Sequence, residues 1–186
     1  MNIMIVGVGG QGTLLTSRII GKTALAAGYD VKLSEVHGMA QRGGSVVTFV
    51  RFGEKVYEPV CEEGTVDVLI SFERLEALRY AHFLKKNGVM IVNDAKIEPM
   101  TVVVGAAKYP EGIIESLSKE HTLYQLDAGK VARELGNSKV LNTVVLGLAA
   151  KHIGFEKSEW VSVLQATVPP KTVEINTVAF NRGYEL

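Results

Sequence analysis

Short apolar runs alternate with amphipathic segments along most of the chain. Residues 3–6 form a β-branched run closed by glycines, which is typical of a strand buried on both faces of a parallel sheet. A helical pattern follows over residues 13–27 and ends at Gly28. The same reasoning predicts strands at 30–36, 66–72, 89–93, 101–104 and 121–126, a helix over 74–85 and another that begins near Pro110. This alternation predicts an α/β fold.

Two regions depart from the simple alternation. A glycine-rich loop at 37–44 precedes an apolar run at 46–52, and the turn Gly53-Glu54-Lys55 joins that run to 56–60, which predicts a β-hairpin. From residue 128 onward the pattern is helical, over 128–135, 140–152, 158–166 and 172–181. We therefore predict one domain over residues 1–186: a mostly parallel, Rossmann-like sheet flanked by helices, with a β-hairpin insert and a helical C-terminal part.

Composition excludes several functions. The 186 residues carry 20 basic and 20 acidic side chains, and this balance argues against a general nucleic-acid binder. Cys61 is the single cysteine, so the chain has neither an internal disulfide nor the ligands for an iron–sulfur cluster of its own. The longest mostly apolar stretch, 140–150, is too short to span a bilayer, and no basic leader precedes residues 3–6. We expect a cytoplasmic protein without a membrane anchor.

The strongest chemical signal is a glycine motif between the first strand and the first helix. Its members are Gly7, Gly9, Gly10, Gln11 and Gly12. Glycines let the backbone turn tightly, while free N–H groups and the helix dipole favour a phosphate or carboxylate. Glu35, near the end of the second strand, is placed where a ribose-binding acid would be expected. The alternative is that the glycines only permit close packing and that Glu35 is solvated.

A second candidate lies in the following loop. Arg42 precedes Gly43 and Gly44, so its guanidinium is free of neighbouring side-chain bulk and suits a carboxylate or pyrophosphate. The alternative is a salt bridge that ties the loop to Glu35 or to a partner. The histidines show no metal-ligand spacing, and no residue is identified as a catalytic acid or base.

Four blocks in this order resemble one known family. They are the glycine motif, the loop from Gly38 to Gly44, Asn142 with Leu146-Gly147, and a last block of Glu174, Ile175, Asn176, Ala179, Phe180 and Gly183. Together they are similar to the gamma subunits and gamma domains of 2-oxoacid:ferredoxin oxidoreductases. Within that family, the chain most resembles the small-subunit branch of the indolepyruvate:ferredoxin oxidoreductases.

The resemblance implies a role in converting a 2-oxoacid to its acyl-CoA, with electrons passed to ferredoxin. Thiamine diphosphate, magnesium and the iron–sulfur clusters are then expected on a large catalytic partner subunit, with coenzyme A as co-substrate. The glycine motif, together with Arg42, Gly43 and Gly44, would help to shape the coenzyme A side of the site. Two other functions stay open, a stand-alone NAD- or flavin-binding protein and a non-catalytic interaction subunit. The sequence also leaves open whether the isolated chain forms a homodimer.

Overall fold

A computed structural model describes residues 1–38 and 43–186. Its centre is a six-stranded sheet with the strand order β2-β3-β1-β4-β5-β6. The strands are β1 (Asn2–Val8), β2 (Asp30–His37), β3 (Ser45–Gly53), β4 (Val66–Ser71), β5 (Leu84–Asn93) and β6 (Thr122–Leu126). β1, β4, β5 and β6 pair in parallel, whereas β3 runs antiparallel to both β1 and β2. The mostly parallel sheet predicted from the sequence is confirmed.

The helices cover both faces of this sheet. They are α1 (Thr13–Ala26), α2 (Arg74–Tyr80), α3 (Met100–Val103), α4 (Ile113–Glu120), α5 (Ala128–Glu134), α6 (Leu141–Ala150), α7 (Lys157–Thr167) and α8 (Val173–Tyr184). Three 3₁₀ turns, at Ala81–Phe83, Ser138–Val140 and Pro170–Thr172, precede β5, α6 and α8. The helical C-terminal part is confirmed. No helix in the described residues has the length and apolar character needed to cross a membrane.

The alternation of side chains along the strands produces two apolar layers. Odd-numbered residues of β1, such as Ile3 and Ile5, pack with α1 and the C-terminal helices. Even-numbered ones, such as Met4 and Val6, pack with α2 and α4 on the other face. All four side chains are fully buried. A continuous apolar run was therefore the correct signal for a central strand covered on both sides.

The hairpin is present, but its strands are not the ones the sequence predicted. β3 pairs with β2 in a ladder from Asp30↔Gly53 to His37↔Val46, so the two strands of the hairpin are β2 and β3. Residues 56–60 form no strand. Their backbone is held by side chains instead, because Asp30 accepts from the Val56 N–H at 3.0 Å and Arg51 donates to the carbonyls of Glu58 and Val60.

One predicted helix is shorter than expected, and one predicted strand is wrong. The helix over 74–85 ends at Tyr80, and strand β5 already begins at Leu84. Gly88 makes this early start possible, since a Cβ there would lie 2.7 Å from the buried Leu84 side chain. The run at 101–104 has the composition of a strand, but it forms the short helix α3 and its end, and Val103 and Val104 are 60% and 67% exposed. Pro99 is the N-cap residue of this helix. In the described part of the chain the sheet ends at β6, so the run has no further strand to pair with.

The C-terminal helices approach one another closely. A Cβ on Gly183 of α8 would lie 1.9 Å from the Val144 carbonyl oxygen of α6, and one on Gly147 would lie 2.2 Å from the Phe180 carbonyl oxygen. Beside this crossing, the buried Thr143 hydroxyl donates to Asn176 Oδ1 at 2.7 Å. Gly147, Asn176, Phe180 and Gly183 of the last two blocks thus belong to the packing of α6 against α8.

Candidate functional site

The predicted glycine motif forms a tight turn from β1 into α1. Gly10 and Gly12 have positive φ angles of 106° and 89°, a backbone conformation that L-residues rarely adopt. The Gln11 N–H closes the turn by donating to the Val8 carbonyl at 3.1 Å. Among the residues that the structure describes, no side chain caps the start of α1. The first-turn N–H groups and the positive end of the helix dipole therefore face the carboxyl edge of the sheet.

Gly43 and Gly44, which precede β3, lie directly against the glycine motif. The Gly9 N–H donates to the Gly44 carbonyl at 2.9 Å, and the Gly43 N–H donates to the Gly9 carbonyl at 3.4 Å. These bonds continue the β1–β3 ladder beyond its last pair, Val8↔Ser45. These two segments lie more than thirty residues apart and were predicted as separate candidates. In the structure they form one unit.

A cleft of about 370 Å³ opens beside this unit, between the carboxyl ends of β1 and β2. Its walls consist of Gly9, Gly10, Gly12, Thr13, Leu14, Glu35, His37 and Val46. Glu35 is exposed, and the His37 Nδ1 lies 3.2 Å from the Gly38 carbonyl oxygen. The structure thus brings Glu35 to the same cleft as the glycine motif. The cleft combines backbone donors on one side with a carboxylate and an imidazole on the other.

Not every residue of the predicted site lines the cleft. Gly7 lies within β1, where a Cβ would be 2.8 Å from Gln11 Oε1 and 3.0 Å from the Phe72 Cβ. Both ends of the Gln11 amide are engaged, since its oxygen accepts from the Val8 N–H at 2.7 Å and its nitrogen donates to the Phe72 carbonyl at 3.0 Å. Gly7 and Gln11 therefore support the turn and join β1 to the end of β4. Arg42 lies outside the described residues.

Two asparagines that were not predicted as site residues support the site. Asn93 donates to the same Phe72 carbonyl at 3.1 Å and accepts from the Ala128 N–H at 2.9 Å, which links the carboxyl ends of β4 and β5 to α5. Asn142 packs so tightly on the glycine turn that a Cβ on Gly12 would lie 2.6 Å from its Nδ2. The signal for Asn142 was its presence in the family blocks. Its contact with a residue 130 positions away was not predictable from spacing.

A second cleft of similar volume lies farther along the same edge, near the ends of β4, β5 and β6. Its charges are largely compensated within the protein. Arg74 Nε lies 2.5 Å from Asp94 Oδ1, an ion pair whose angles do not meet hydrogen-bond geometry, and Lys96 pairs with Glu98 at 2.9 Å. Glu111 and Glu115 add negative charge to its wall. The glycine cleft is therefore the stronger candidate for an anionic group.

The donor set for metals and clusters is poor. Within residues 1–38 and 43–186, no three His, Cys, Asp or Glu side chains come together as metal ligands. Cys61 is buried, and burial raises the pKa of its thiol to about 11. A thiol of that kind is a poor nucleophile and a poor ligand at neutral pH.

Fold and site together define a class. A sheet covered by helices on both faces, with a glycine turn at the carboxyl end of its first strand, is a Rossmann-like domain suited to an anionic ligand at that edge. The chain belongs to the pyruvate ferredoxin/flavodoxin oxidoreductase family, whose model matches residues 2–186. The family resemblance predicted from the sequence is confirmed.

Individual relatives indicate the branch within the family. Indolepyruvate oxidoreductase subunit IorB of Thermococcus kodakarensis is 44% identical over 188 residues, covering 98% of this chain and 93% of the relative. The pyruvate/ketoisovalerate oxidoreductases common subunit gamma of Pyrococcus abyssi is 29% identical over 188 residues, covering 96% of this chain and 92% of the relative. The chain is thus more similar to the indolepyruvate subunit than to this gamma subunit.

Solved structures share the fold at low identity. Pyruvate oxidoreductase subunit PORC of Thermotoga maritima superposes with a TM-score of 0.74 at 23% identity, covering 100% of this chain and 95% of that one. The 2-oxoglutarate:ferredoxin oxidoreductase of Magnetococcus marinus superposes with a TM-score of 0.76 at 19% identity, covering 100% of this chain but 30% of that one. The same fold therefore occurs both as a separate chain and as part of a longer one.

Proposed function

We propose that this chain is the small subunit of a cytoplasmic 2-oxoacid:ferredoxin oxidoreductase that acts on indolepyruvate or another arylpyruvate. The observation that carries the proposal is the family match across residues 2–186, combined with 44% identity to an indolepyruvate oxidoreductase subunit. In the overall reaction, a 2-oxoacid anion and coenzyme A give an acyl-CoA, carbon dioxide and a proton, and two electrons pass to ferredoxin. The chain completes this enzyme and is inactive alone.

The division of labour follows from the side chains that this subunit has. Thiamine diphosphate, when bound, supplies the carbanion stabilisation that decarboxylation requires. Its magnesium ion needs oxygen ligands and the iron–sulfur clusters need several thiolates, whereas this chain has one buried thiol. We therefore assign these groups to the large partner subunit. This chain contributes binding, orientation and the exclusion of water.

The glycine cleft is the part of this chain that we assign to coenzyme A. The N-terminal turn of α1 offers backbone donors to a phosphate beside Gly10 and Gly12. Glu35 would repel a second phosphate from the far wall of the cleft, so a cation is needed to hold a pyrophosphate there. The sequence supplies Arg42 in the segment between β2 and β3, beside Gly43. The structure of the relative from Magnetococcus marinus contains coenzyme A, but at 19% identity it supports only the fold.

One observation favours a stand-alone dinucleotide-binding protein as a second candidate. Glu35 shares a cleft with the glycine motif, as a ribose-binding acid would. In the dinucleotide fold, however, the second strand lies next to the first. Here β3 lies between β1 and β2, which places Glu35 two strand spacings, or roughly 10 Å, from β1. A stoichiometric NAD or flavin complex of the isolated chain would favour this candidate over the proposed one.

Co-purification from the native host tests the proposed function. An affinity-tagged chain should bring down a large, brown, cysteine-rich subunit, and the complex should reduce ferredoxin or a viologen dye when supplied with an arylpyruvate and coenzyme A. A tagged chain that purifies alone under conditions that preserve complexes would contradict the proposal. Assembly with such a partner whose turnover does not depend on this chain would support a non-catalytic interaction subunit instead.

A further inference from the structure

Glu76 of α2 is a buried carboxylate that binds Ser45, the residue after the Gly43-Gly44 pair that is hydrogen-bonded to Gly9. It is 4% exposed, and its Oε2 accepts a hydrogen bond from the Ser45 hydroxyl at 2.5 Å. Its Oε1 accepts from Arg79 Nε at 3.2 Å. The Tyr80 hydroxyl lies 3.3 Å from the same Ser45 oxygen. Ser45 is thus held by a charged group and has a second polar neighbour.

Ser45 is placed to transmit this contact to the cleft. It is the first residue of β3 and follows Gly44, whose carbonyl accepts the Gly9 N–H. Successive side chains of a strand point to opposite faces, so Ser45 faces α2 while Val46 faces the cleft. Glu76 therefore holds the end of the Gly43-Gly44 segment from behind the sheet, while the ligand face stays open.

The contact is costly unless it has a specific use. A buried carboxylate loses its hydration and must recover that loss through hydrogen bonds and a nearby cation. A neutral glutamine of the same size would avoid most of this penalty. The strong, directional bond from Ser45 to an ionised acceptor is the feature that a carboxylate adds, and such bonds are shorter and stronger than neutral ones.

We propose that Glu76 is a positioning residue for the glycine cleft, acting through Ser45 on the Gly44–Gly9 hydrogen bond. The contact fixes the position at which Gly43 and Gly44 lead into β3. It thereby fixes the distance between these two glycines and the turn into α1. The identity of the cleft's ligand as coenzyme A rests on the proposed function. The positioning itself does not depend on it.

The chain offers a matched control on the same helix. The Tyr109 hydroxyl donates at 2.5 Å to Oε1 of Glu73, a buried carboxylate at the start of α2. Tyr109 lines the second cleft and does not contact the glycine segments. Tyr109→Phe therefore removes a short hydroxyl–carboxylate bond from α2 without touching Ser45.

Residue-resolved amide exchange on the full chain tests the proposal without any assay of activity. In Ser45→Ala, the Gly9 amide should exchange at least about tenfold faster, relative to the slowest core amides, which corresponds to about 1.4 kcal/mol. Ser45→Thr, which keeps the hydroxyl, should restore the protection of Gly9. Tyr109→Phe should leave it unchanged. A Gly9 amide that is unprotected in the wild type, or that changes only in step with the core amides in Ser45→Ala, would overturn the proposal.

Kinetics of the assembled complex provide the functional measurement. Ser45→Ala should raise the KM for coenzyme A at least about threefold, while the 2-oxoacid KM stays within about twofold; Tyr109→Phe should shift neither value. Loss of Gly9 protection with an unchanged coenzyme A KM would confirm the positioning and contradict coenzyme A as the ligand. A wild-type complex without turnover would overturn the proposed function, and the Gly9 exchange rates would still test the Ser45–Glu76 contact.

Discussion

Gly10 and Gly12 both adopt a left-handed backbone, yet their surroundings differ. No heavy atom of residues 1–38 or 43–186 lies within 4 Å of a Cβ placed on Gly10, whereas a Cβ on Gly12 would be crowded by the Asn142 side chain. The sequence motif predicted the turn and the start of α1 because both depend on neighbouring residues. It did not show that Gly12 is also a packing position, since the partner comes from α6, more than a hundred residues later.

These two glycines give a paired stability test. Gly10→Ala should lower the free energy of unfolding by about 1–2 kcal/mol, the cost of a left-handed L-residue. Gly12→Ala should cost about 1–3 kcal/mol more, because its methyl group also displaces Asn142. Urea denaturation of the two variants measures the difference. Equal losses would show that the Asn142 contact contributes nothing to the requirement for glycine.

Arg42 is tested by its effect on ligand binding. If the Arg42 guanidinium binds a coenzyme A phosphate through two parallel hydrogen bonds, Arg42→Lys keeps the positive charge but loses this bidentate geometry. The contact is worth roughly 1.5–3 kcal/mol, so its full loss weakens binding by about one to two orders of magnitude, and the lysine variant should lose part of that. The coenzyme A KM of the assembled complex should therefore rise while assembly and the 2-oxoacid KM stay near wild type. A fully assembled variant with an unchanged coenzyme A KM would exclude Arg42 as a ligand-binding residue.

At the scale of elements, periodicity predicted the central strands and the C-terminal helices, because apolar residues there face packed layers. The failures came from tertiary pairing. The run at 101–104 has the composition of a strand, but it forms a helix. The hairpin partner of β3 is β2, which pairs with it along its full length. Residues 56–60 are instead held by Asp30 and Arg51, side chains from other segments.

The α6–α8 crossing gives the sharpest prediction at this scale. Gly183→Ala should destabilise the protein by about 3 kcal/mol or more, because the methyl group would overlap the Val144 carbonyl and force the helices apart. The control is Gly129→Ala in α5, where the atoms nearest to a Cβ are side-chain atoms of Arg133 and Asp127, both at 3.3 Å. That control should change the free energy of unfolding by less than about 1 kcal/mol, since the gain in helix propensity is offset by a small shift of the Asp127 cap. Thermal or urea unfolding measures both, and a mild Gly183→Ala would contradict the close-approach explanation.

The molecule as a whole has one cysteine, which is buried, and no cluster of metal ligands among residues 1–38 and 43–186. Its polar contacts at the carboxyl edge link β1, β4 and β5 through Gln11 and Asn93, which gives the glycine cleft a rigid support. The sequence allowed the fold class and the family to be predicted. The arrangement of the cleft, with β3 between β1 and β2, became clear only from the strand order.

One whole-molecule prediction follows from the single buried thiol. The purified chain should contain no stoichiometric iron, show no iron–sulfur absorbance in the visible range and reduce neither ferredoxin nor viologen with any 2-oxoacid. Iron analysis and an absorbance spectrum are sufficient. Cys61→Ser serves as the control, and it should leave both measurements unchanged.

The central claim, that this chain completes a 2-oxoacid:ferredoxin oxidoreductase, is tested most directly by reconstitution. The large subunit from the same host is assayed for coenzyme A-dependent ferredoxin reduction with an arylpyruvate, while the purified small chain is titrated in. Little turnover is expected without the chain, followed by a rise that saturates at a fixed ratio of the two subunits. Turnover of the large subunit that is already maximal without the chain would contradict it.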